Sequence, residues 1–514
     1  MTRRRILLSL FLTILIPLTA VLYNRVFMRT GGFLRAPPVP MSQSAPSPVV
    51  IVVGAGLAGL SAAYEALRVG ASVRLLERAA KPGGNSIKAS SGINGAPTRF
   101  QKGQDTSFYS DTVRSAGVRL SSGDVGARKD RESLIALLTN KSASAVDFLV
   151  DDIGVDLSVV AQLGGHSFAR THRGAGKTPP GAAIIFALLD KLKAFPNFEL
   201  KTGCEVTRLL SAEPSKVTGV EFVSDGQTQN LDGPVVFTTG GFAGDAKGLL
   251  AKYRPDLSRI PSTNDPRPGM HNLLTSVGAS LVDMDSVQIH PTGFVDPANP
   301  DAPVKFLAAE MLRGEGGILL HKGKRFVNEM ETREYISNVI MKLPGSDTQG
   351  GDSRQWDVQI LLDPGACEVA GPHVGFYTWK GLVTKQKVKE LDATTRDTIR
   401  AYSAIVAGDS VDEYGRKVFG HWKLTGAPTD DDQEVCVGRV TPIIHFTMGG
   451  VAINEQAEVL ASDLGSQQKP VQGLWAAGEI TGGIHGDNRL GGSSLLECVV
   501  VGRIAGGNAG LFTQ

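Results

Sequence analysis

The chain has 514 residues, 42% of them hydrophobic and 20% charged, which gives room for two or three domains with a sizeable core and excludes a disordered or fibrous chain. The formal net charge is +2, with no basic run beyond Arg3-Arg4-Arg5, so nothing points to a nucleic-acid partner. Four cysteines, Cys204, Cys367, Cys436 and Cys498, lie far apart without a C-x-x-C pair; this argues against zinc, iron–sulfur and c-type haem sites and against a disulfide framework, leaving a single bridge open.

The three arginines precede an apolar run over residues 6–23, which Pro17 interrupts. Its length and flanks read as a secretory signal or signal anchor, which would tether the protein to a membrane and place it in the endoplasmic reticulum. Arginines on both sides leave the orientation open. No acidic residue occurs before Glu65, so a mitochondrial presequence is the alternative. Residues 31–47, rich in Pro and small side chains, read as an extended linker. The folded part is expected from Pro48 onward.

Val49-Val50-Ile51-Val52-Val53 has the character of a buried parallel strand. Gly54-Ala55-Gly56-Leu57-Ala58-Gly59 follows and opens a helix to about Arg68, and a second strand over 72–76 ends at Glu77. Gly54 suits the tight turn. Gly56 lets backbone N–H groups approach a pyrophosphate at the helix N-terminus, and Gly59 permits close helix–strand packing. Glu77 can accept hydrogen bonds from a ribose. A lone G-x-G-x-x-G is weak, but strands on both sides and an acid in place make it a strong dinucleotide signal. Gly83-Gly84-Asn85-Ser86 and Ala89-Ser90-Ser91-Gly92-Ile93-Asn94 come soon after the acid. Such small residues suit a chain wrapping the larger remainder of FAD rather than NAD. A second G-x-G-x-x-G unit is not found, so one flavin with an external electron source is expected.

Further motifs follow in order: Gln288-Ile289-His290-Pro291-Thr292-Gly293, Phe306-Leu307-Ala308-Ala309-Glu310, Leu312-Arg313-Gly314, and Arg325-Phe326-Val327-Asn328-Glu329 leading to Thr332-Arg333. His445-Phe446-Thr447-Met448-Gly449-Gly450, Ala476-Ala477-Gly478-Glu479 and His485-Gly486-Asp487-Asn488-Arg489-Leu490-Gly491-Gly492-Ser493-Ser494-Leu495 complete the series. With the segment 83–95, these resemble the fumarate reductase and succinate dehydrogenase flavoproteins, most of all the soluble yeast-type fumarate reductases and the flavin and clamp domains of flavocytochrome c fumarate reductases. The resemblance runs from Val50 to the C-terminus.

The resemblance implies an α/β fold: a Rossmann-type FAD-binding domain with an inserted α+β capping domain. The implied boundaries are a leader at 1–30, a linker at 31–47, FAD-binding parts at 48–285 and 432–514, and a capping domain at 286–431. The implied activity is reduction of fumarate to succinate, by hydride from the reduced flavin and a proton from the protein. Arg489 would clamp one carboxylate bidentately, as guanidinium geometry allows. His290 and His445 would hold the other. Arg333 would be the proton donor. Because arginine normally stays protonated, its proton must be replaced, through Arg313 and Glu310. Cofactor contacts carry over to Gly54, Ala55, Gly56, Ala58, Gly59, Glu77, Arg78, Gly84, Asn85 and Ser86. They continue through Ser90, Ser91, Gly92, Ile93, Asn94, Val206, Thr239, Gly240, Gly241 and Glu479, to Ser494 and Leu495 at the start of a last helix over 493–508. That helix would turn its positive end to the flavin.

Departures matter too. Serine at 86 cannot form the covalent link that succinate dehydrogenases make through a histidine, so FAD would be noncovalent. Ala309 stands where bacterial relatives have a substrate-binding threonine. Residues 263–272 lack the Thr-Gly-Asp-Gly whose aspartate contacts FAD in the family. The expected partners are fumarate or succinate and an external donor such as free reduced flavin or a redox protein, with the chain monomeric and without a metal. Alternatives are a reductase of another α,β-unsaturated acid on the same fold, and a flavin-binding protein that has lost catalysis.

Overall fold

β1 (Val49–Val53) is a run of β-branched residues, and its register brings β2 (Ser72–Glu77) alongside in parallel, Val53 opposite Leu76. Between them α1 (Leu57–Arg68) crosses over, as a parallel pair requires. The computed structural model describes residues 49–121, 125–213, 215–344, 346–347, 353–461 and 468–514. The leader, linker and membrane-anchor readings lie outside the described residues.

The sheet is nine-stranded. β3 (Phe198–Thr202) extends it beside β2, and β4 (Cys204–Glu213) and β5 (Lys216–Ser224) form an antiparallel pair at its far end. On the other side of β1, β6 (Val235–Phe237) pairs in parallel.

A second sheet, six-stranded and antiparallel, is built on β7 (Val287–Phe294), which is buried at every position. α2 (Met311–Gly314) is a single turn, followed by β8 (Ile318–His321). α3 (Arg333–Lys342) is capped by Thr332, whose hydroxyl accepts from Tyr335 N, and is pinned to β7 by Ser337 Oγ donating to Ile289 O. β9 (Val358–Leu362) and α4 (Gly371–Trp379) come next. β10 (Glu434–Thr447) lies against both β7 and β9. Cys367 and Cys436 are joined as a disulfide across 69 residues, with Cα atoms 6.5 Å apart; Cys204 and Cys498 are free and buried. The single bridge that the sequence left open is thus present.

The chain then returns to the first sheet. β11 (Lys469–Ala476) pairs in parallel with β6, Phe237 opposite Ala476. α5 (Ser493–Phe512) ends the chain, running four residues beyond the 493–508 expected. α5 is long and apolar enough to cross a membrane, but 67% of that stretch is buried in the protein, against α1 and β11. Its apolarity is that of a core helix. One hydrophobic core therefore holds Val50 and Leu60 together with Leu496 and Val499, from opposite ends of the chain. A second holds Ile289, Leu319, Val358 and Val440.

α1 and α5 meet at glycine distance. A Cβ at Gly506 would lie 2.0 Å from Ala62 O, whereas one at Gly507 would meet only Glu65 Cγ at 3.5 Å. Gly506→Ala is expected to lose about 1–3 kcal/mol or more through overpacking. Gly507→Ala should be neutral or gain up to about 1 kcal/mol from helix propensity. Urea denaturation of the two variants separates a packing constraint from a general intolerance of this helix.

Candidate active site

A cavity of about 780 Å³ opens between the β1–α1 turn and the elements that follow. Its first wall is the turn. Gly54 has φ +104°, which disfavours any side chain, and a Cβ there would lie 2.6 Å from Thr238 O. A Cβ at Gly59 would lie 1.9 Å from Gly54 O, so α1 sits directly on the strand. Glu77 closes the turn: its carboxylate accepts from Ala55 N at 2.7 Å and Ala79 N at 2.8 Å. Leu57 N donates to Ser86 Oγ at 3.3 Å, tying the glycine-rich segment to the start of α1.

Most of the expected cofactor residues reach this cavity. Gly54, Gly56, Ala58, Glu77 and Arg78 line it, as do Gly84, Asn85, Ser86, Ser90, Ser91 and Gly92. So do Val206, Thr239, Gly240, Glu479, Ser494 and Leu495. Ala55, Gly59, Ile93, Asn94 and Gly241 stand behind the wall instead. Ala55 and Gly59 shape the turn. Ile93 is fully buried in the core. Asn94 donates to Gly491 O at 2.7 Å and Ser493 Oγ at 3.0 Å and accepts from Thr171 Oγ1 at 2.7 Å, so it anchors the entrance to α5. At Gly241 a Cβ would collide with Thr447 Oγ1 and Glu479 Oε1. These five serve the shape of the wall.

The departing loop closes the cavity as well. Thr263, Asn264, Asp265 and Arg267 line it. Asn85 Nδ2 donates to Asn264 Oδ1, and Lys88 pairs with Asp265 at 2.8 Å. The glycine-rich segment and this loop are thus held to each other directly.

Cations crowd the opposite end. Arg333, the first residue of α3, donates Nε to Glu310 Oε2 at 2.7 Å and also pairs with it through Nη2. Glu310 Oε1 faces Arg313 Nη2 at 3.6 Å, so the carboxylate stands between two arginines. Arg313 donates Nη1 to Glu329 O at 2.7 Å. Arg489 has its guanidinium 4.3 Å from the centre of the Phe446 ring and donates to Leu490 O and Gln288 Oε1. Its buried Nε has no partner. Burial pushes the Arg489 guanidinium down to about 9 and that of Arg313 to about 10. Burial would push the Glu310 carboxyl up, but Arg333 and Arg313 hold it below its ordinary value.

Gln288 and His290 alternate along β7, placing both on one face of the strand. His290 Nδ1 lies 3.2 Å from both Thr292 N and Thr292 O, while its Nε2 is a buried atom without a partner. His445, on β10, stands 5.4 Å from it ring to ring. Burial, aided by Arg333, holds both histidines well below their ordinary value, so both are neutral at pH 7. Arg333, His445 and Arg489 line the cavity, while His290, Glu310 and Arg313 lie behind them.

Gln288 has the contact that the sequence reading missed. Its Oε1 accepts from both Arg333 Nη1 (2.9 Å) and Arg489 Nη2 (3.0 Å), and its Nε2 donates to Arg489 O at 2.7 Å. The available signal was its position two residues before His290 on a strand. His166 and Arg170 were also missed. His166 is paired with Gly491 O at 3.1 Å, and burial pushes it down to about 4. No spacing in the sequence marks either residue. Among the described residues there is no group of His, Cys, Asp and Glu able to hold a metal.

The residues present fit FAD. The turn and the N-terminus of α1 offer backbone N–H groups to a pyrophosphate. The buried hydroxyls of Thr239 and Ser90 line the wall without partners. Gly492 gives α5 no side-chain cap; Ser493 N donates to Leu490 O at 3.2 Å, and the next N–H groups, of Ser494 and Leu495, are left for a ligand. A cradle of this kind joined to a cationic pocket defines a flavin-dependent oxidoreductase. The FAD binding domain family matches residues 49–495, and the chain belongs to it. The chain is 42% identical over 484 residues to a protein of Schizosaccharomyces pombe named fumarate reductase, spanning 89% of this chain and 88% of that one. It is 40% identical over 486 residues to fumarate reductase 1 of Saccharomyces cerevisiae, spanning 89% and 97%. The solved open conformation of a flavocytochrome c3 fumarate reductase matches with a TM-score of 0.68 at 30% identity, over 91% of this chain and 79% of that one.

Glu479 gives a test of the site's electrostatics. Burial raises its carboxyl to about 7 although Thr447 N donates to it at 3.0 Å. A raised carboxyl binds its proton in the folded state and releases it in the unfolded chain. Its stabilising contribution is therefore full below about pH 4.5 and lost as pH rises through about 7. The buried neutral histidines act in the opposite sense, so the difference between variants isolates Glu479. In urea titrations of the flavin-free protein, the stability of Glu479→Gln relative to wild type is expected to rise between pH 5 and pH 8. A constant difference would contradict the assigned shift.

Proposed function

We propose that this flavoprotein reduces fumarate to succinate. The observation that carries the reading is Arg489: a buried guanidinium with an unpartnered Nε and no hydrogen-bonded carboxylate, lining the same cavity as the neutral His445. A buried cation left in that state is costly, and a substrate carboxylate offsets the cost with two charge-assisted bonds. His445, which lines the cavity, and His290 behind it, through its unpartnered Nε2, serve the second carboxylate, with no charge of their own to overbind the product. A dicarboxylate suits this pair of subsites better than a sterol or a monocarboxylate does.

Bound FAD, held noncovalently because Ser86 offers no attachment, supplies the hydride when reduced. The chain's residues do the rest. Arg489 and the histidines fix the double bond and polarise the acid. Arg333 lines the cavity and delivers the proton to the carbon that does not take the hydride. Glu310, ionised between the two arginines, relays the replacement: Oε1 takes a proton from Arg313 as Oε2 gives one to Arg333, and Arg313 is reprotonated from solvent. Charge that builds on the substrate carboxylate is stabilised by donors already in place, which cost no reorganisation during reaction. Electrons enter from an external donor such as free reduced flavin. The enzyme acts as a monomer and resides in the endoplasmic reticulum.

Anaerobic oxidation of dithionite, with and without fumarate, tests the reaction. Arg333→Ala is expected to keep its flavin spectrum and lose about 100- to 10 000-fold in turnover, the range for a general acid. His290→Ala should weaken fumarate binding as well as slow the reaction. Bound flavin without fumarate turnover in the unaltered protein would defeat the reading and direct attention to other unsaturated acids.

A further inference from the structure

An aromatic cluster stands at the rim of the cavity. Phe306 and Phe376 line the cavity and are 45% and 43% exposed; Trp379 beside them is 75% exposed. Phe376 lies 6.1 Å from Phe306 and 6.0 Å from Trp379, ring centre to ring centre. Lys380 Nζ stands 5.4 Å from the Phe306 ring and 5.1 Å from the Trp379 ring. Three large aromatic rings left open to water are unusual away from a binding surface. The cluster is also fixed in place. Tyr377, packed 5.8 Å from Phe376, donates its hydroxyl to Leu307 O at 3.0 Å, and the His373 ring bonds Ser90 O at 3.2 Å. That last contact ties α4 to the segment that wraps the cofactor cavity.

We propose that Phe306, Phe376, Trp379 and Lys380 seat the electron donor, a free reduced flavin mononucleotide, against the rim of the cofactor cavity. This rests on the proposed reading that electrons arrive from an external reduced flavin. Three observations select this occupant. An exposed aromatic face stacks a planar ring system; Trp379 and Phe306 stand at 41° and 67° to the Phe376 plane, so one ring stacks and the others wall it. Lys380, over two of those rings, and Lys177, exposed on the cavity wall, supply cations for a phosphate tail. Phe306 and Phe376 belong to the same cavity that holds FAD, so a stacked donor lies beside the acceptor rather than across the protein. Reduced FMN gives up two electrons and two protons and leaves as oxidised FMN. Oxidised FAD in the cavity receives them and is reduced. The next step spends the same two electrons on fumarate.

The test uses the full-length, FAD-loaded protein. Two readouts are taken: the KM for reduced FMN in fumarate reduction, and equilibrium dialysis of oxidised FMN against the loaded protein. Trp379→Ala and Phe376→Ala are expected to weaken both by about tenfold or more, since one stacked base on an aromatic ring contributes on that scale. Lys380→Glu should weaken FMN severalfold while leaving riboflavin, which lacks the phosphate, unchanged. The KM for fumarate and the rate driven by dithionite, a small donor that needs no stacking surface, should stay at wild-type values in Trp379→Ala and Lys380→Glu, whose side chains lie outside the cavity lining. FMN binding and KM untouched by Trp379→Ala and Lys380→Glu overturn the proposal. Absence of dithionite-driven fumarate reduction in the wild type would defeat the fumarate reading, and the dialysis arm would still decide the rim.

Discussion

Two buried guanidinium groups share one amide oxygen. Gln288 Oε1 accepts from Arg333 at 2.9 Å and from Arg489 at 3.0 Å, and much of the architecture around the cavity follows from keeping those like charges together. The repulsion between them is strong in a low-dielectric interior, and burial already lowers the Arg489 guanidinium. Three devices compensate. Glu310 takes up Arg333 through two nitrogens. The Phe446 ring presents its face to Arg489 at 4.3 Å. The remaining donor, Arg489 Nε, is left for an anion. No single stretch of sequence could build this. Gln288 comes from β7, Glu310 from the turn before α2, Arg333 from the first position of α3, and Arg489 from the approach to α5.

That dispersion explains why the chain must fold back on itself. β11 completes the parallel sheet that β1 begins, and α5 packs on α1 at glycine distance. The contact sets where α5 starts, and with it the positions of Arg489, Gly492 and Ser494. Asn94 adds a second restraint, holding Gly491 and Ser493 from the opposite wall. A shift of one helical residue would turn the uncapped N–H groups of α5 away from the cavity. Close packing far from the chemistry therefore fixes the site's geometry, as polar networks and glycine contacts do when every member is satisfied.

The sequence disclosed the parts whose logic is local. A strand, glycine turn, helix and acid follow from spacing alone, and Gly54, Gly59 and Glu77 sit where that logic puts them. Glu310 and Arg313 share a turn as their separation of three requires. What depends on contacts between distant segments was not legible. Asn94 and Ile93 belong to a glycine-rich stretch that otherwise lines the cavity, yet they face away from it, because the backbone there has entered a short strand paired with residue 172. Gln288 looked like one letter of a motif until β10 and α3 were placed around β7. Residues 263–272 lacked the family's pattern, but Asn264 and Asp265 bond Asn85 and Lys88, and that pairing spans more than 170 residues of sequence.

The two arginines differ in one respect that bears on chemistry. Arg333 has a carboxylate partner, and that carboxylate has a second arginine behind it, so a proton lost at the cavity has a connected source. Arg489 has no such partner: its bonds end at a main-chain carbonyl and an uncharged amide. A group isolated in that way can bind an anion but has no route by which to replace a proton. On the proposed reading, the fold has therefore divided clamp from acid by connectivity rather than by residue type. The same argument accounts for the neutral histidines. Charged imidazoles would add to the positive charge already held by Gln288, and burial prevents that by keeping both rings unprotonated.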